Sequence, residues 1–422
     1  ANKHDLYVIA IQDSGYSKDK NMFIGYLQSI LGKNEYVVLT FLTLWDIQLC
    51  VAARKRHFTK ITNIQSEQRP TNIASAGTRG GVGVSLSFNE TSMCFISAQL
   101  VPNTSDEVPN KAKDNNETRN SMIEDILGNL NLGNKSLDVN GQFHHVFIMG
   151  DLNYRIEMPA EEAHSYISSG QYEQLLAKDQ LRQVMATKKV LFGLKEADIK
   201  FQPTFKFEKG TCNYDVKKPI TPSYCDRILW KSMSNSTSTC VDYKPNTDVL
   251  LGDHLPVSAV FKVNTIRPFA GVFAKDQDTC KIVFESIKIK NRESKSKQES
   301  KQLTKPYLCF YAPFIDDGIV ANKLPNSYNP EFLSHGLPVI EPSTCQKDFL
   351  TLQYLIISLM DESKESFNGS AALPLKNGLN TTDNVKITLD LVKFGKKVGD
   401  VEVTYKYIYR QKQQASNGSP LF

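Results

Sequence analysis

Two polar side chains follow directly on an apolar run in the stretch VFIMGDLNYRI, residues 146–156. Asp151 and Asn153 lie two positions apart, and residues at this spacing in an extended segment point to the same side. A carboxylate and an amide at the end of a strand could hold a metal-bound water or a phosphate. An Asx turn that leaves a sheet produces the same pattern, so this motif leaves both interpretations open.

Three later stretches also carry groups that can do chemistry: PTFKFEKG, PSYCDRILWKS and LLGDHLPVSAVF. The last one sets Asp253 beside His254 at the start of an apolar strand, which offers a carboxylate and an imidazole. A single Asp-His pair is typical of surface turns as well as of catalytic dyads. The order along the chain carries more information: Asp13 after an early strand, then G-D-x-N, P-x-x-C-D-R and D-H before a final strand.

This order resembles the inositol polyphosphate 5-phosphatases, members of the metal-dependent endonuclease/exonuclease/phosphatase superfamily. The resemblance rests on GDLNYRI and PSYCDRILW in combination and covers residues 1 to about 264. It implies magnesium-dependent hydrolysis of the 5-phosphate of phosphoinositides, most favourably phosphatidylinositol 3,4,5-trisphosphate, and of related inositol polyphosphates. Such hydrolysis needs a nucleophilic water, a metal that neutralises developing charge, and fixed donors to the phosphate oxygens.

The family pattern implies a role for each matching residue. Asp13 would be the carboxylate that holds Mg²⁺, an ion that prefers oxygen ligands. Asp151 would orient or deprotonate the attacking water, and Asn153 would position it. His254, held in its tautomer by Asp253, would donate to the phosphate.

A cluster of lysines is the predicted binding site for a second phosphate of the substrate. The cluster consists of Lys206, Lys209, Lys217 and Lys218. Vicinal phosphates require clustered cations, and in the family the matching region contacts the 4-phosphate. A solvated basic loop is the alternative. In PSYCDRILW, Asp226 and Arg227 are predicted to support the site, with Arg227 paired to a carboxylate instead of contacting substrate.

Several positions depart from the family pattern. The usual Gln-Glu of the metal site is Gln-Asp here, so that Asp13 is one methylene shorter. The usual Asn-Lys-Gly becomes TRG around Arg79, and the histidine of Ser-His-Leu becomes Gln99. Arg79 and Gln99 are therefore predicted as altered substrate contacts. The family pattern also begins with a strand that carries Trp-Asn, which does not precede Ala1 in this sequence.

These departures keep a second function open, that of a catalytically degenerate protein that binds phosphoinositides or acts as a scaffold. Retention of Asp151, Asn153, Asp253 and His254 favours turnover. A nuclease of the same superfamily would need a broad basic face, which a net charge of +5 does not suggest, so no nucleic-acid partner is expected. The eight cysteines lack a CxxC pair, which argues against a zinc site and suits a reducing, cytoplasmic location.

A chain of 422 residues with 41% hydrophobic content should form two globular domains. Before Asn264, strands alternate with helical patterns, as in an endonuclease/exonuclease/phosphatase-like α/β sandwich of two mixed sheets flanked by helices. After it, almost pure alternation predicts an antiparallel sandwich. The fold class is thus α+β, with a catalytic domain at 1–264, a linker at 265–271, a C2-like β-sandwich at 272–412 and a tail at 413–422.

The predicted elements follow from these patterns. Strands are expected at 6–12, 35–45, 47–54, 81–89, 92–100, 144–152 and 253–263, and helices at 118–130, 161–170 and 172–186. In the second domain, strands are expected at 281–290, 306–314, 350–360, 385–394 and 401–409. A 5-phosphatase domain followed by such a sandwich resembles the SHIP branch, in which the second domain is of the C2 type.

The segment KNRESKSKQESKQLTK, residues 290–305, holds six Lys or Arg against two Glu in the second domain. A solvated loop is one interpretation. The other is contact with the anionic inner leaflet, where each basic residue contributes about 1 kcal/mol. The expected partners are therefore phosphoinositide lipids, soluble inositol polyphosphates and an anionic membrane surface, and the protein would be recruited peripherally to the inner face of the plasma membrane.

Overall fold

The computed structural model describes residues 4–13, 19–71, 78–103, 115–217, 220–267, 279–292, 303–362 and 366–410. The chain divides into two compact units, 1–267 with 394–397 and 268–393 with 398–422. The division at Arg267 falls inside the predicted linker. No helix among the described residues is long and apolar enough to cross a membrane.

The first unit contains eleven described strands and six described α-helices. Its strands are β1 (Leu6–Ile11), β2 (Tyr36–Leu44), β3 (Ile47–Arg54), β4 (Ile61–Pro70), β5 (Gly80–Phe88), β6 (Thr91–Gln99), β7 (His145–Asp151), β8 (Lys195–Glu196), β9 (Asp226–Ser232), β10 (Ser238–Pro245) and β11 (Val257–Val263). Its helices are α1 (Lys20–Leu31), α2 (Asn116–Asn129), α3 (Val139–Gln142), α4 (Ala160–Ser168), α5 (Tyr172–Leu176) and α6 (Gln180–Ala186).

A six-stranded sheet in the order β4-β5-β6-β7-β9-β8 is the centre of this unit. Only the pair β6–β7 is parallel among its described pairings, so the sheet is mixed as predicted. The expectation of a second mixed sheet is wrong for the described residues. They form a three-stranded antiparallel sheet, β1-β3-β2, and the antiparallel pair β10–β11.

The central strands are buried on both faces, which is why their sequences read as nearly continuous apolar runs. On one face, Phe95 and Phe147 stack at 5.3 Å and join the cluster that contains Leu49 of β3. On the other face, Ile96 and Ile148 join a cluster with the apolar side of α2. The strands that carry site residues at their ends are therefore held from both sides.

The second unit is an antiparallel β-sandwich with one four-residue α-helix among its described residues, in agreement with the prediction. Its elements are β12 (Thr279–Asn291), β13 (Pro306–Tyr311), β14 (Ile319–Val320), β15 (Glu331–Leu333), α7 (Lys347–Leu350), β16 (Tyr354–Asp361), β17 (Ser366–Pro374), β18 (Val385–Lys393) and β19 (Lys396–Arg410).

These strands form one eight-stranded sheet in the order β14-β13-β16-β17-β18-β19-β12-β15. The sheet curls on itself, so that Phe284 of β12 stacks on Phe310 of β13 at 5.4 Å within one apolar core. Residues 293–302 of the predicted membrane-contacting loop, and the predicted tail 413–422, lie outside the described residues.

Candidate active site

Strand register places three polar residues side by side at one end of the six-stranded sheet. Gln99 at the end of β6 pairs with Asp151 at the end of β7, and Asp151 pairs with Asp226 at the start of β9. The parallel pairing of β6 and β7 makes both strands end at the same edge, and the antiparallel β9 begins there. Groups that are distant in sequence thus meet on three neighbouring strands.

The G-D-x-N motif forms a tight turn that fixes the buried carboxylate of Asp151. This carboxylate accepts hydrogen bonds from the backbone N–H of Asn153 at 3.1 Å and from its side-chain amide at 2.9 Å. The same amide nitrogen donates to the carbonyl of Leu100 at 3.0 Å. Asn153 has a left-handed φ of 55°, which asparagine tolerates better than most residues. The motif therefore forms an Asx turn, and this turn holds the carboxylate that the functional interpretation requires.

Asn153 is held in turn by a buried arginine. Its side-chain oxygen accepts from Nη2 of Arg155 at 2.8 Å, and the guanidinium of Arg155 lies 4.4 Å from the ring centroid of Phe205. This leaves the amide nitrogen of Asn153 directed at Asp151, because the oxygen is committed to Arg155. No sequence pattern indicated Arg155, which follows the motif by two positions.

His254 is held by Asp226, and the prediction that Asp253 holds it is wrong. Nδ1 of His254 lies 2.9 Å from Oδ2 of Asp226, which also accepts from the hydroxyl of Thr204 at 2.7 Å. Asp253 instead lies 3.5 Å from Nζ of Lys206. The chain bends at Asp253, and its carboxylate is directed to a lysine instead of to the neighbouring ring.

His254 and Asp151 both carry a charge at neutral pH. Burial alone would lower the pKa of His254, but the carboxylate of Asp226, with smaller contributions from Asp151 and Asp253, raises it to about 9. Burial raises the pKa of Asp151 to about 6, and the nearby His254 cation limits that rise. An imidazolium that donates hydrogen bonds therefore lies close to a carboxylate that can accept a proton.

Asp13, Gln99 and Arg79 form a second cluster next to Asp151. Nε2 of Gln99 donates to Oδ2 of Asp13 at 2.5 Å, and Nη1 of Arg79 lies 3.6 Å from Oδ1 of the same carboxylate. The side chain of Asp13 is 63% exposed, whereas Gln99 is buried and its Oε1 has no hydrogen-bond partner among the described residues. These predicted metal and substrate positions therefore converge beside the G-D-x-N turn.

Two sets of residues offer donors for a metal ion. Ligand atoms of Asp151, Asp226 and His254 all lie within 4.8 Å of one another. However, the raised pKa keeps a proton on His254, and its Nδ1 is engaged with Asp226, so this set is better described as a hydrogen-bonded network. The Asp13 carboxylate and the side-chain oxygen of Gln99 form an all-oxygen set, which suits Mg²⁺.

The predicted lysines border a cavity of about 410 Å³ next to Asp253. The cavity is lined by Lys206, Phe207, Glu208, Lys209, Thr211, Asp215, Lys217 and Asp253. Two lysines of the cavity already contact carboxylates. Lys217 lies 3.1 Å from Glu208, and Lys206 lies 3.5 Å from Asp253. Lys206, Lys209 and Lys217 thus converge, whereas Lys218 lies outside the described residues. Glu208 and Asp215, which also line the cavity, were missed because acidic residues in a basic loop resemble solvated surface.

Arg227 pairs with carboxylates, as predicted, through two buried ion pairs. Its guanidinium contacts Asp179 at 3.0 Å and Glu196 at 2.5 Å, with side chains that are nearly or fully inaccessible to water. Asp179 is also the N-cap of α6, where it accepts from the backbone of Arg182. The predicted helix at 172–186 is therefore divided into α5 and α6. Asp179 lies between them, where it caps α6 and pairs with Arg227.

Comparisons with known proteins found a matching family, similar sequences and a similar solved structure. The family model described as "Endonuclease/Exonuclease/phosphatase family 2" matches residues 1–260. Phosphatidylinositol 3,4,5-trisphosphate 5-phosphatase 2 of Mus musculus is 30% identical over 426 residues, which cover 96% of this chain and 32% of the relative. Phosphatidylinositol 3,4,5-trisphosphate 5-phosphatase 1 of Mus musculus is 29% identical over 408 residues, 90% of this chain and 32% of the relative. The chain spans about a third of the length of these curated relatives.

A solved structure is similar as well. The inositol polyphosphate 5-phosphatase domain of SPsynaptojanin, in complex with inositol (1,4)-bisphosphate and a calcium ion, aligns with a TM-score of 0.52 at 25% identity. The alignment covers 62% of this chain and 77% of the solved chain. The family resemblance predicted from the sequence motifs is confirmed.

Proposed function

The chain belongs to the endonuclease/exonuclease/phosphatase family 2, and on that premise we propose that it hydrolyses the 5-phosphate of phosphoinositides and of soluble inositol polyphosphates. The observation that carries the proposal is the convergence of Asp151, Asp226 and His254 at one sheet edge. The relatives are named as phosphatidylinositol 3,4,5-trisphosphate 5-phosphatases, which supports that lipid as the preferred substrate.

Each residue of the site has a distinct task in this reaction. Asp151 accepts a hydrogen bond and then a proton from the attacking water, and its pKa of about 6 leaves it mostly ionised at neutral pH. Asn153 holds that carboxylate in place through two hydrogen bonds. Because Nδ1 of His254 is engaged with Asp226, Nε2 is the nitrogen that donates to a phosphate oxygen as charge develops there.

The oxygen donors of the second cluster fit magnesium. Asp13 is exposed, and the neighbouring Gln99 oxygen is buried without a hydrogen-bond partner among the described residues. These two side chains would hold the ion, and bound Mg²⁺ would neutralise charge on the phosphate group. The calcium ion in the similar solved structure supports a divalent cation in this fold.

The lysine cavity is proposed to bind the phosphate that neighbours the scissile one. Lys206 and Lys209 border it, and Lys206 directly follows Phe205, whose ring centroid lies 4.5 Å from that of His254. A phosphate would displace the 3.5 Å contact between Lys206 and Asp253 and take the cation as its partner. This assignment makes the cavity selective for substrates with a 4-phosphate.

The location follows from the proposed substrates. Phosphoinositides lie in membranes, so we propose a cytoplasmic protein recruited peripherally to the inner face of the plasma membrane. Eight free cysteines support a reducing compartment. The proposed partners are phosphoinositide lipids, inositol polyphosphates and the anionic membrane surface, and no nucleic acid is proposed.

The test is release of inorganic phosphate from inositol 1,3,4,5-tetrakisphosphate and inositol 1,4,5-trisphosphate, with Mg²⁺ and with chelator. Magnesium-dependent release that Asp151→Asn abolishes is expected. Asp5→Asn is the matched control, because Asp5 lies just before β1, at the end opposite to Asp13. Release that is unaffected by Asp151→Asn would refute the proposed mechanism.

One observation favours a second candidate, a degenerate protein that binds phosphoinositides without turnover. The carboxylate of Asp13 is already contacted by the amide of Gln99 and by the Arg79 guanidinium, which compete with a metal ion for its oxygens. Tight binding of the headgroups without phosphate release at any Mg²⁺ or Ca²⁺ concentration would favour this candidate.

A further inference from the structure

The lysine cavity contains as many carboxylates as lysines. The six charged side chains that line it are Lys206, Lys209, Lys217, Glu208, Asp215 and Asp253. Their formal charges cancel, although a phosphate is attracted most strongly to cations that have no anion among them. The carboxylates of the cavity therefore need an explanation of their own.

Two of the three carboxylates have other tasks. Asp253 directly precedes His254 and lies 3.5 Å from Nζ of Lys206, so it belongs to the hydrolytic site. Asp215 stabilises its loop, because its Oδ1 accepts from the backbone N–H of Lys217 at 3.0 Å and its own N–H donates to the carbonyl of Lys206 at 2.9 Å. Glu208 is the carboxylate that these two tasks leave to be explained.

Glu208 lies in a well-defined turn and contacts Lys217. Its backbone N–H donates to the carbonyl of Asn213 at 2.8 Å. The rings of Phe207 and Tyr214 stack at 4.4 Å across the base of the turn, where the two residues form a β-bridge. Oε1 of Glu208 lies 3.1 Å from Nζ of Lys217, and this ion pair is the only polar contact of the carboxylate among the described residues.

The ion pair is open to water and to ligands. The side chain of Lys217 is 79% exposed and that of Glu208 is 34% exposed. Ion pairs at such exposure are weak and are screened by salt. A phosphate monoester carries nearly two negative charges at neutral pH, so it can displace the single charge of Glu208 from Lys217. The displaced carboxylate then remains in contact with water.

The chemistry of the proposed reaction gives this displacement a consequence. Hydrolysis of the 5-phosphate leaves the neighbouring 4-phosphate unchanged, so substrate and product present the same group to the cavity. Binding energy from a group that does not react strengthens both complexes, and tight binding then delays the departure of the product. A carboxylate that takes the lysine back weakens both complexes.

We propose that Glu208 competes with the unreacted phosphate of the ligand for Lys217 and thereby promotes release of the product. The identity of the ligand rests on the proposed function. Removal of the charge of Glu208 should tighten the binding of headgroups that carry a 4-phosphate and leave the binding of other headgroups unchanged.

The first test measures binding by isothermal titration calorimetry for Glu208→Gln and for the unaltered chain. The ligand is inositol 1,4-bisphosphate, the product expected from inositol 1,4,5-trisphosphate, so no turnover is required. We expect Kd to fall about fivefold in Glu208→Gln, which corresponds to about 1 kcal/mol. Inositol 1-phosphate, which lacks the 4-phosphate, should bind to the two proteins with affinities within twofold of each other.

The second test measures turnover of inositol 1,4,5-trisphosphate. In Glu208→Gln, KM and the inhibition constant of added inositol 1,4-bisphosphate should both fall about fivefold, whereas kcat should not rise. A merely structural role of Glu208 would lower kcat without tightening the binding of the product.

Glu90→Gln is the matched control, because it makes the same change in net charge at a distant exposed position. Glu90 lies in the turn between Phe88 of β5 and Thr91 of β6, whereas Gln99 of the site lies at the opposite end of β6. This control should bind inositol 1,4-bisphosphate like the unaltered chain.

Three outcomes would overturn the proposal: no tighter binding of inositol 1,4-bisphosphate by Glu208→Gln, an equal gain with inositol 1-phosphate, or an equal gain from Glu90→Gln. The first would show that Glu208 does not compete for Lys217, and the other two that only net charge matters. If the unaltered chain released no phosphate but Glu208→Gln still bound the bisphosphate more tightly, the proposed hydrolysis would fail while the competition for Lys217 stood.

Discussion

Replacing Asp226 by asparagine removes the negative charge that keeps His254 protonated while preserving the size of the side chain. The carboxylate accepts from Nδ1 of His254 at 2.9 Å and from the Thr204 hydroxyl at 2.7 Å. An amide oxygen can still accept a hydrogen bond, so the fold should tolerate the change. The imidazolium loses its strongest stabilising charge, and the pKa of His254 should fall from about 9 toward or below its ordinary value of 6.5.

The size of the effect follows from the protonated fraction. At pH 8, a group with a pKa of about 9 is about nine-tenths protonated, whereas one with a pKa of 6.5 is about 3% protonated. If the imidazolium is the required donor, turnover at pH 8 should fall about thirtyfold. Below pH 6 the loss should be small, because His254 is protonated in both proteins.

The assay is a pH profile of phosphate release by the two proteins. For the unaltered chain, activity should fall as pH rises through about 9, where His254 loses its proton. It should also fall as pH drops through about 6, where Asp151 gains one. In Asp226→Asn the high-pH limb should move to lower pH while the low-pH limb moves less.

A matched control exists elsewhere on the first unit. Asp5 lies 2.9 Å from Nε2 of His57, and its carboxylate is half exposed. Asp5→Asn therefore breaks an Asp–His pair of the same length away from the site and should leave the profile unchanged. A high-pH limb that stays in place in Asp226→Asn would refute the role given to the His254 cation.

Three further predictions concern neighbouring parts of the site. Asn153→Gly keeps the left-handed backbone but removes an amide bonded to Asp151, so turnover should fall about tenfold to a hundredfold, and unchanged turnover would contradict it. Lys206→Ala should weaken hydrolysis of substrates with a 4-phosphate by about 1.5–3 kcal/mol, and an equal loss on a substrate without that phosphate would show a general effect on folding. Arg227→Met leaves two buried carboxylates unpaired and should lower the free energy of unfolding in urea by about 3–5 kcal/mol, whereas Arg182→Met at an exposed pair should cost little.

The strands that sequence reasoning identified are those in which burial imposes a regular pattern. The sequences of β6 and β7 are continuous apolar runs because both faces of these strands are covered. The sequence of β12 alternates between apolar and polar residues because only one of its faces is covered. The helix α1 was missed because Met22, Tyr26 and Ile30 are exposed while Leu27 and Leu31 are buried, which hides a single apolar face. An apolar residue on the water side gives the same sequence signal as one in the core.

The strand β4 was missed for the opposite reason. Its sequence, ITNIQSEQRP, is mostly polar, and most of its residues are exposed. It is a strand because its backbone pairs with β5 at the edge of the sheet. Backbone pairing of this kind depends on the neighbouring strand, so the side chains of β4 alone do not predict it.

One part of the site is formed by residues adjacent in sequence, and another part depends on how the strands pair. The turn that joins Asp151 to Asn153 is a local hydrogen-bonding pattern, and it could be predicted from four consecutive residues. The partner of His254 could not be found in this manner, because proximity in sequence favoured Asp253, whose carboxylate contacts Lys206 at a bend of the chain. Asp226 reaches the ring only because β9 starts beside the end of β7, where it pairs with Asp151. A charge pair that controls proton transfer thus depends on the register of two strands, and a slip by one residue would turn the carboxylate to the other face of the sheet.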